Sequence, residues 1–125
     1  MNEQRIKHIL LVDDNITDLH SIHHLLVHFG YNVTSTNYPH KALNFLREEP
    51  DKYHLIITDQ FMPGLKGHEL VTHVRQLRED IPVILCSGSE EVLYELQEQR
   101  KDIQRFLPKP FSRHELAEAI QDILA

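Results

Sequence analysis

The 125-residue chain has a single cysteine, Cys86, so neither an internal disulfide nor a thiolate metal cluster can form within it. Long apolar runs are missing too. Ile9-Leu10-Leu11-Val12 and Val83-Ile84-Leu85-Cys86 are strand-sized, far short of the about 20 residues a membrane span needs. No basic start followed by an apolar stretch opens the sequence, which predicts no signal peptide and a cytoplasmic location. Basic residues are in deficit: thirteen Lys and Arg stand against nineteen Asp and Glu, a formal charge of −6. That argues against nucleic acid as a direct partner, because nonspecific affinity for it rests on basic phosphate contacts. There is no internal repeat, no low-complexity tract and no G-x-G-x-x-G fingerprint. What is present is the composition of one globular domain.

The apolar pattern alternates between strand and helix five times. Ile6 to Val12 reads as a buried strand that ends in Asp13-Asp14-Asn15. From Ile16 to Phe29 the apolar residues Ile16, Leu19, Ile22, Leu26 and Phe29 recur every three or four positions, a helix stripe closed by Gly30. Tyr31 to Ser35 is the second strand, and Pro39 opens a helix that ends before Pro50. Leu55-Ile56-Ile57-Thr58 leads to Asp59. A loop with Pro63, Gly64 and Gly67 follows, then a helix carrying Leu70, Val71, Val74 and Leu77. Pro82 to Cys86 runs into Ser87-Gly88, and a helix spans about Ser89 to Gln99. Ile103 to Leu107 is the fifth strand and runs into Lys109-Pro110. Ser112 and Glu115 then form a capping box ahead of a helix with Leu116, Ile120 and Leu124. Such alternation predicts a doubly wound α/β fold: a five-stranded parallel sheet with helices on both faces. The five units use the whole chain, so the expectation is one domain, residues 1–125, with no output domain in it, either a single-domain protein or a piece of a longer one.

In an open parallel sheet, ligands gather at the carboxyl ends of the strands. Here those ends carry Asp13 and Asp14, Asp59, Ser87 and Lys109, while the second strand ends blandly, as a strand at the sheet margin would. Three carboxylates held together repel unless a cation joins them. An oxygen-only donor set favours a hard ion, Mg²⁺ or Mn²⁺, and Lys109 plus one divalent ion balances three negative charges. Such a cluster suits phosphoryl transfer with a carboxylate as nucleophile.

Asp13-Asp14 after an apolar strand, Asp59-Gln60-Phe61-Met62-Pro63 with Gly67, Ser87-Gly88 and Lys109-Pro110-Phe111 together resemble the receiver domain of bacterial two-component response regulators. The resemblance covers nearly the whole chain in order. It implies a flavodoxin-like strand order 2-1-3-4-5. It also implies that Asp59 accepts a phosphoryl group from a phosphohistidine on a histidine kinase or histidine phosphotransfer protein. By the same resemblance Asp14 and Asp59 bind Mg²⁺ directly, Asp13 acts through water, and the Phe61 backbone carbonyl is a further ligand. Ser87 and Lys109 would hold the phosphoryl oxygens, the Lys109–Pro110 bond would be cis, and Ser87 with Phe106 would form the switch. No enzymatic turnover is expected beyond self-catalysed phosphoryl acceptance and slow autodephosphorylation. Slowness is expected because the apolar Phe61 stands where polar side chains often position the hydrolytic water. The output partner is not named by the sequence; a homodimer through the fourth helix, fifth strand and fifth helix is compatible with it.

Three other readings compete. An inert receiver used only for protein contacts is weakened by the intact acidic, Ser and Lys set. A phosphatase-like hydrolase would also use Asp59 as nucleophile, but would carry a second Asp at the place of Phe61. A flavin or nucleotide carrier would need a Ser/Thr/Gly-rich loop where Asp13-Asp14-Asn15 repels phosphate. Elsewhere the plain readings prevail. Asp18 reads as helix-surface charge, Cys86 as a small core residue, and Met62 and Phe111 as packing residues. His20, His24 and His28 lie one helical turn apart, a spacing able to bind a transition metal, but the simpler reading is a solvated face.

Overall fold

A computed structural model describes residues 6–125, so the first five residues of the single-domain expectation lie outside it. Five strands alternate with five helices: β1 (His8–Val12), α1 (Ile16–His28), β2 (Asn32–Thr36), α2 (Pro39–Glu48), β3 (Leu55–Asp59), α3 (Gly67–Leu77), β4 (Val83–Ser87), α4 (Glu90–Gln99), β5 (Arg105–Pro108) and α5 (Arg113–Leu124). All neighbouring pairs are parallel, and the order is β2-β1-β3-β4-β5. The bland second strand is indeed marginal.

Strand side chains alternate between two cores. Leu10, Val12, Ile56, Val83 and Leu85 face α2, α3 and α4 through Leu43, Leu46, Leu70, Val74, Leu93 and Leu96. Ile9, Leu11, Leu55, Ile57, Ile84 and Cys86 face α1 and α5 through Leu19, Ile22, Leu26, Leu116 and Ile120. Because both faces are covered, β1, β3 and β4 have no polar face to show, which explains their continuous apolar runs. Cys86 is part of this core, where burial pushes its thiol up to about 12.

Three of the helices, α1, α4 and α5, begin where short polar side chains satisfy free backbone donors. Asn15 Oδ1 accepts from the Asp18 N–H at 3.0 Å, and Ser112 Oγ accepts from the Glu115 N–H at 3.0 Å. The Glu115 carboxylate returns to the Ser112 N–H at 2.8 Å, completing the expected capping box. Gly30, at φ +101°, supplies the left-handed turn after α1 that a side chain would strain. Three expectations shift. β5 starts at Arg105 rather than Ile103. β1 starts at His8, with Ile6 exposed, and Ile16 of the α1 stripe is 47% exposed because it stands at the sheet's carboxyl edge, above the packed layer.

Candidate functional site

The register of the parallel sheet assembles the site. Val12 pairs with Thr58, Asp59 with Cys86, and Ser87 with Pro108, so Asp13, Asp59, Ser87 and Lys109 leave adjacent strands at one level. One carboxylate oxygen each from Asp13, Asp14 and Asp59 lies within 4.8 Å of the others. The Lys109 ammonium donates to Asp13 Oδ2 at 2.7 Å and lies 3.4 Å from Asp59 Oδ1. Ser87 is fully buried, and its Oγ accepts from the Ser89 N–H at 3.0 Å. The Lys109–Pro110 peptide bond is cis. All four strand-end positions read from the sequence therefore converge on one edge.

Electrostatics at this edge are unbalanced. Burial, helped by the neighbouring Asp13 and Asp14 charges, raises the Asp59 carboxyl to about 6 although Lys109 pulls it down. Burial alone would lower the Lys109 ammonium, but hydrogen bonding and attraction from Asp13, Asp59 and Asp18 hold it above its usual value. The donor set is three carboxylates with no imidazole or thiolate, and one ammonium leaves it two charges short of neutrality. It fits a hard divalent cation such as Mg²⁺.

For three residues named in the sequence, the contacts at the site escaped sequence reasoning. Asp18 is half exposed, as a surface charge should be, yet its Oδ2 lies 3.1 Å from the Lys109 ammonium. The signal was its place one turn into the helix that follows the acidic pair. Gln60 is buried beside Asp59; its Oε1 accepts from the His68 N–H at 3.0 Å, and its amide nitrogen lies 2.8 Å from His68 Nδ1. Gly67 donates its N–H to the Gln60 carbonyl at 2.8 Å, and a Cβ there would run into the Asp59 and Gln60 backbone. Only glycine lets α3 begin this close to Asp59.

Two of the singled-out residues lie at the rim. Phe61 is 46% exposed. Phe106 is partly buried against the α2–α3–α4 core and, with Glu90, Leu93, Tyr94, Gln97 and Pro108, lines a depression of about 280 Å³ between α4 and β5.

A doubly wound parallel sheet with an acidic cluster, a buried hydroxyl and a lysine at its carboxyl edge defines the class of the CheY-like phosphoacceptor domains. The response regulator receiver domain profile matches residues 9–121, and the chain belongs to that family. Among its relatives is the two-component response regulator ARR12 of Arabidopsis thaliana, 36% identical over 116 residues, which are 93% of this chain and 19% of that protein. The chain spans about a fifth of the length of the first such relatives. Among solved structures, the response regulator TrrA of Thermotoga maritima, in complex with Mg²⁺ and BeF, superposes with a TM-score of 0.85 at 26% identity, covering 95% of this chain and 100% of that one. The receiver domain of the sensor histidine kinase PA1611 of Pseudomonas aeruginosa has a magnesium ion coordinated in its active site cleft. It superposes with a TM-score of 0.81 at 27% identity, covering 95% and 98% of the two chains. The chain is thus a receiver domain of two-component signal transduction, and the hydrolase alternative finds no support. Among the described residues, no helix is long and apolar enough to cross a membrane.

Proposed function

We propose that Asp59 is the phosphoacceptor. Its carboxylate oxygen attacks the phosphorus of a phosphohistidine on a histidine kinase or histidine phosphotransfer protein. The P–N bond breaks, the imidazole leaves with the electron pair, and an acyl phosphate forms on Asp59. Asp14, Asp59 and the Phe61 carbonyl would hold Mg²⁺ directly and Asp13 through water; when bound, the ion supplies positive charge against the acidic cluster and the phosphoryl oxygens. Mn²⁺ has the same oxygen preference. Lys109 neutralises one phosphoryl oxygen, and the Ser87 hydroxyl donates to another.

These new contacts bias the switch. Taking a conformer from 1:99 to 99:1 needs about 5.5 kcal/mol of differential stabilisation, of which charge-assisted hydrogen bonds from Ser87 and Lys109 supply a large part. As Ser87 moves toward the phosphoryl group, Phe106 turns into the space it leaves, and the α4–β5–α5 face presents a changed shape to an output partner, an output domain or a second copy. Lacking a hydroxyl at Phe106, that face is read by shape alone. Self-dephosphorylation is slow because Phe61 places no polar group near the incoming water. The setting is the cytoplasm, and the partners are proteins rather than nucleic acid.

The observation that carries this reading is the convergence of the Asp13, Asp14 and Asp59 carboxylates beside the Lys109 ammonium. The test is labelling by acetyl phosphate with and without Mg²⁺. Stoichiometric, Mg²⁺-dependent labelling that disappears in Asp59→Ala is expected; labelling that persists in Asp59→Ala overturns the assignment.

A further inference from the structure

The outer surface of α1 gathers imidazoles away from the phosphoacceptor edge. His20, His23 and His24 together line a depression of about 240 Å³. His20 and His24 are exposed and stand one helical turn apart, and His23 is three residues from His20, so all three lie on neighbouring positions of one helix surface. The third partner is therefore His23 rather than His28.

His23 carries the observation that separates this group from a solvated face. Its Nδ1 lies 2.9 Å from Ser35 Oγ on the edge strand β2. The neutral tautomer protonated at Nδ1 donates to that hydroxyl and leaves the Nε2 lone pair for an ion. A metal-binding histidine usually has its other ring nitrogen tied to a carboxylate, backbone carbonyl or water, which fixes both tautomer and ring orientation; here the Ser35 hydroxyl takes that place.

We propose that His20, His23 and His24 form a second cation site, specific for a borderline transition metal of the Zn²⁺, Ni²⁺ or Cu²⁺ class. Imidazole donors suit these ions and reject Mg²⁺, whereas the carboxylates at the strand ends suit Mg²⁺, so one chain carries two sites of different chemistry. Among the described residues only Asp13, Asp14 and Asp59 already have three donors within 4.8 Å, so the histidine site closes by rotation of the exposed His20 and His24 rings about χ1 and χ2. Both rings are exposed, outside the two cores. A bound ion would join two successive turns of α1 and, through His23 and Ser35, tie the helix to β2.

The test is a competitive titration of Zn²⁺ against a chromogenic chelator, with Mg²⁺ in excess to occupy the acidic cluster. One Zn²⁺ per chain is expected, with affinity falling by roughly 10-fold or more in His24→Gln and in His23→Gln, and unchanged in His28→Gln. A rise in melting temperature with Zn²⁺ that vanishes in the His20→Gln/His24→Gln double variant is the second readout. The proposal is overturned by Zn²⁺ affinity that is the same in the double variant, by affinity indifferent to His23→Gln, or by no uptake in excess Mg²⁺.

Discussion

The two edges of the sheet use charge in opposite ways. At the carboxyl edge, Asp13, Asp18 and Asp59 crowd one ammonium, Lys109, and the nearest balance of charge comes from outside the chain. At the amino edge, charge is consumed by the backbone. Arg75 donates through Nη1 to the Ile81 carbonyl at 2.7 Å and the Arg78 carbonyl at 3.3 Å, and through Nη2 to the Asp102 carbonyl. Arg78 reaches the carbonyls of Pro50 and Tyr53 at 2.9 and 2.8 Å, and Arg100 grips both oxygens of Asp102 at 2.9 and 2.8 Å. These guanidiniums hold together the loops that feed β3, β4 and β5. Burial of charge by itself therefore says little about function. Charge satisfied by carbonyls and matched acids is structural, and like charge left in excess is a site awaiting a ligand.

Substitutions at the two edges should therefore act differently. The largest effect expected is chemical: Asp59→Ala removes Mg²⁺-dependent phosphoryl labelling altogether, while Arg78→Lys, at the other edge, leaves the labelled fraction within about twofold, as quantified by intact-mass spectrometry. Next is Arg75→Ala, which strips donors from buried carbonyls and should lower unfolding free energy by about 2–4 kcal/mol in urea titrations.

Charge removal at the carboxyl edge should have the opposite sign. The folded Asp59 carboxyl, at about 6, sits above its unfolded value of 3.8. Well below 3.8 it is protonated in both states and costs nothing; the penalty grows as pH rises from 3.8 to about 6 and is full above that. Asp59→Asn should therefore stabilise the metal-free protein by about 1–3 kcal/mol at neutral pH, allowing for water at the open side of the site, and by almost nothing at about pH 3. A pH series of urea midpoints checks this; a gain that persists undiminished at about pH 3 would remove charge as its cause. The smallest effect concerns lifetime. Phe61→Asn should shorten the phosphoryl half-life by roughly 2–5-fold, about 1 kcal/mol or less of barrier, measured by the decay of labelled protein.

Much of the carboxyl edge was legible because a parallel sheet turns sequence position into height. Once the apolar runs at Leu10, Ile56, Ile84 and Leu107 are aligned as strands, the residues just after them must meet. Asp13, Asp59, Ser87 and Lys109 therefore needed no contact information. The amino edge was illegible for the converse reason. Arg75 reaches Asp102, 27 residues on, and Arg100 reaches back 32 residues to the His68 carbonyl, through long side chains and backbone acceptors that leave no periodic trace. Asp18 was misjudged in part for the same cause: its exposure was read correctly, but its partner lies 91 residues away. Gly67 was read as part of the motif around Asp59, but its close approach to the Asp59 backbone shows only in three dimensions. His23 was passed over because its ring is set by Ser35, on a neighbouring strand.

The most direct test compares urea-unfolding midpoints of the wild-type protein and Asp59→Asn near neutral pH, each with and without saturating Mg²⁺. The variant should be the more stable without the ion, and Mg²⁺ should raise the wild type much further than the variant, closing the gap. Equal responses to Mg²⁺, or a wild type already the more stable without it, would contradict an excess of buried like charge at the heart of the site.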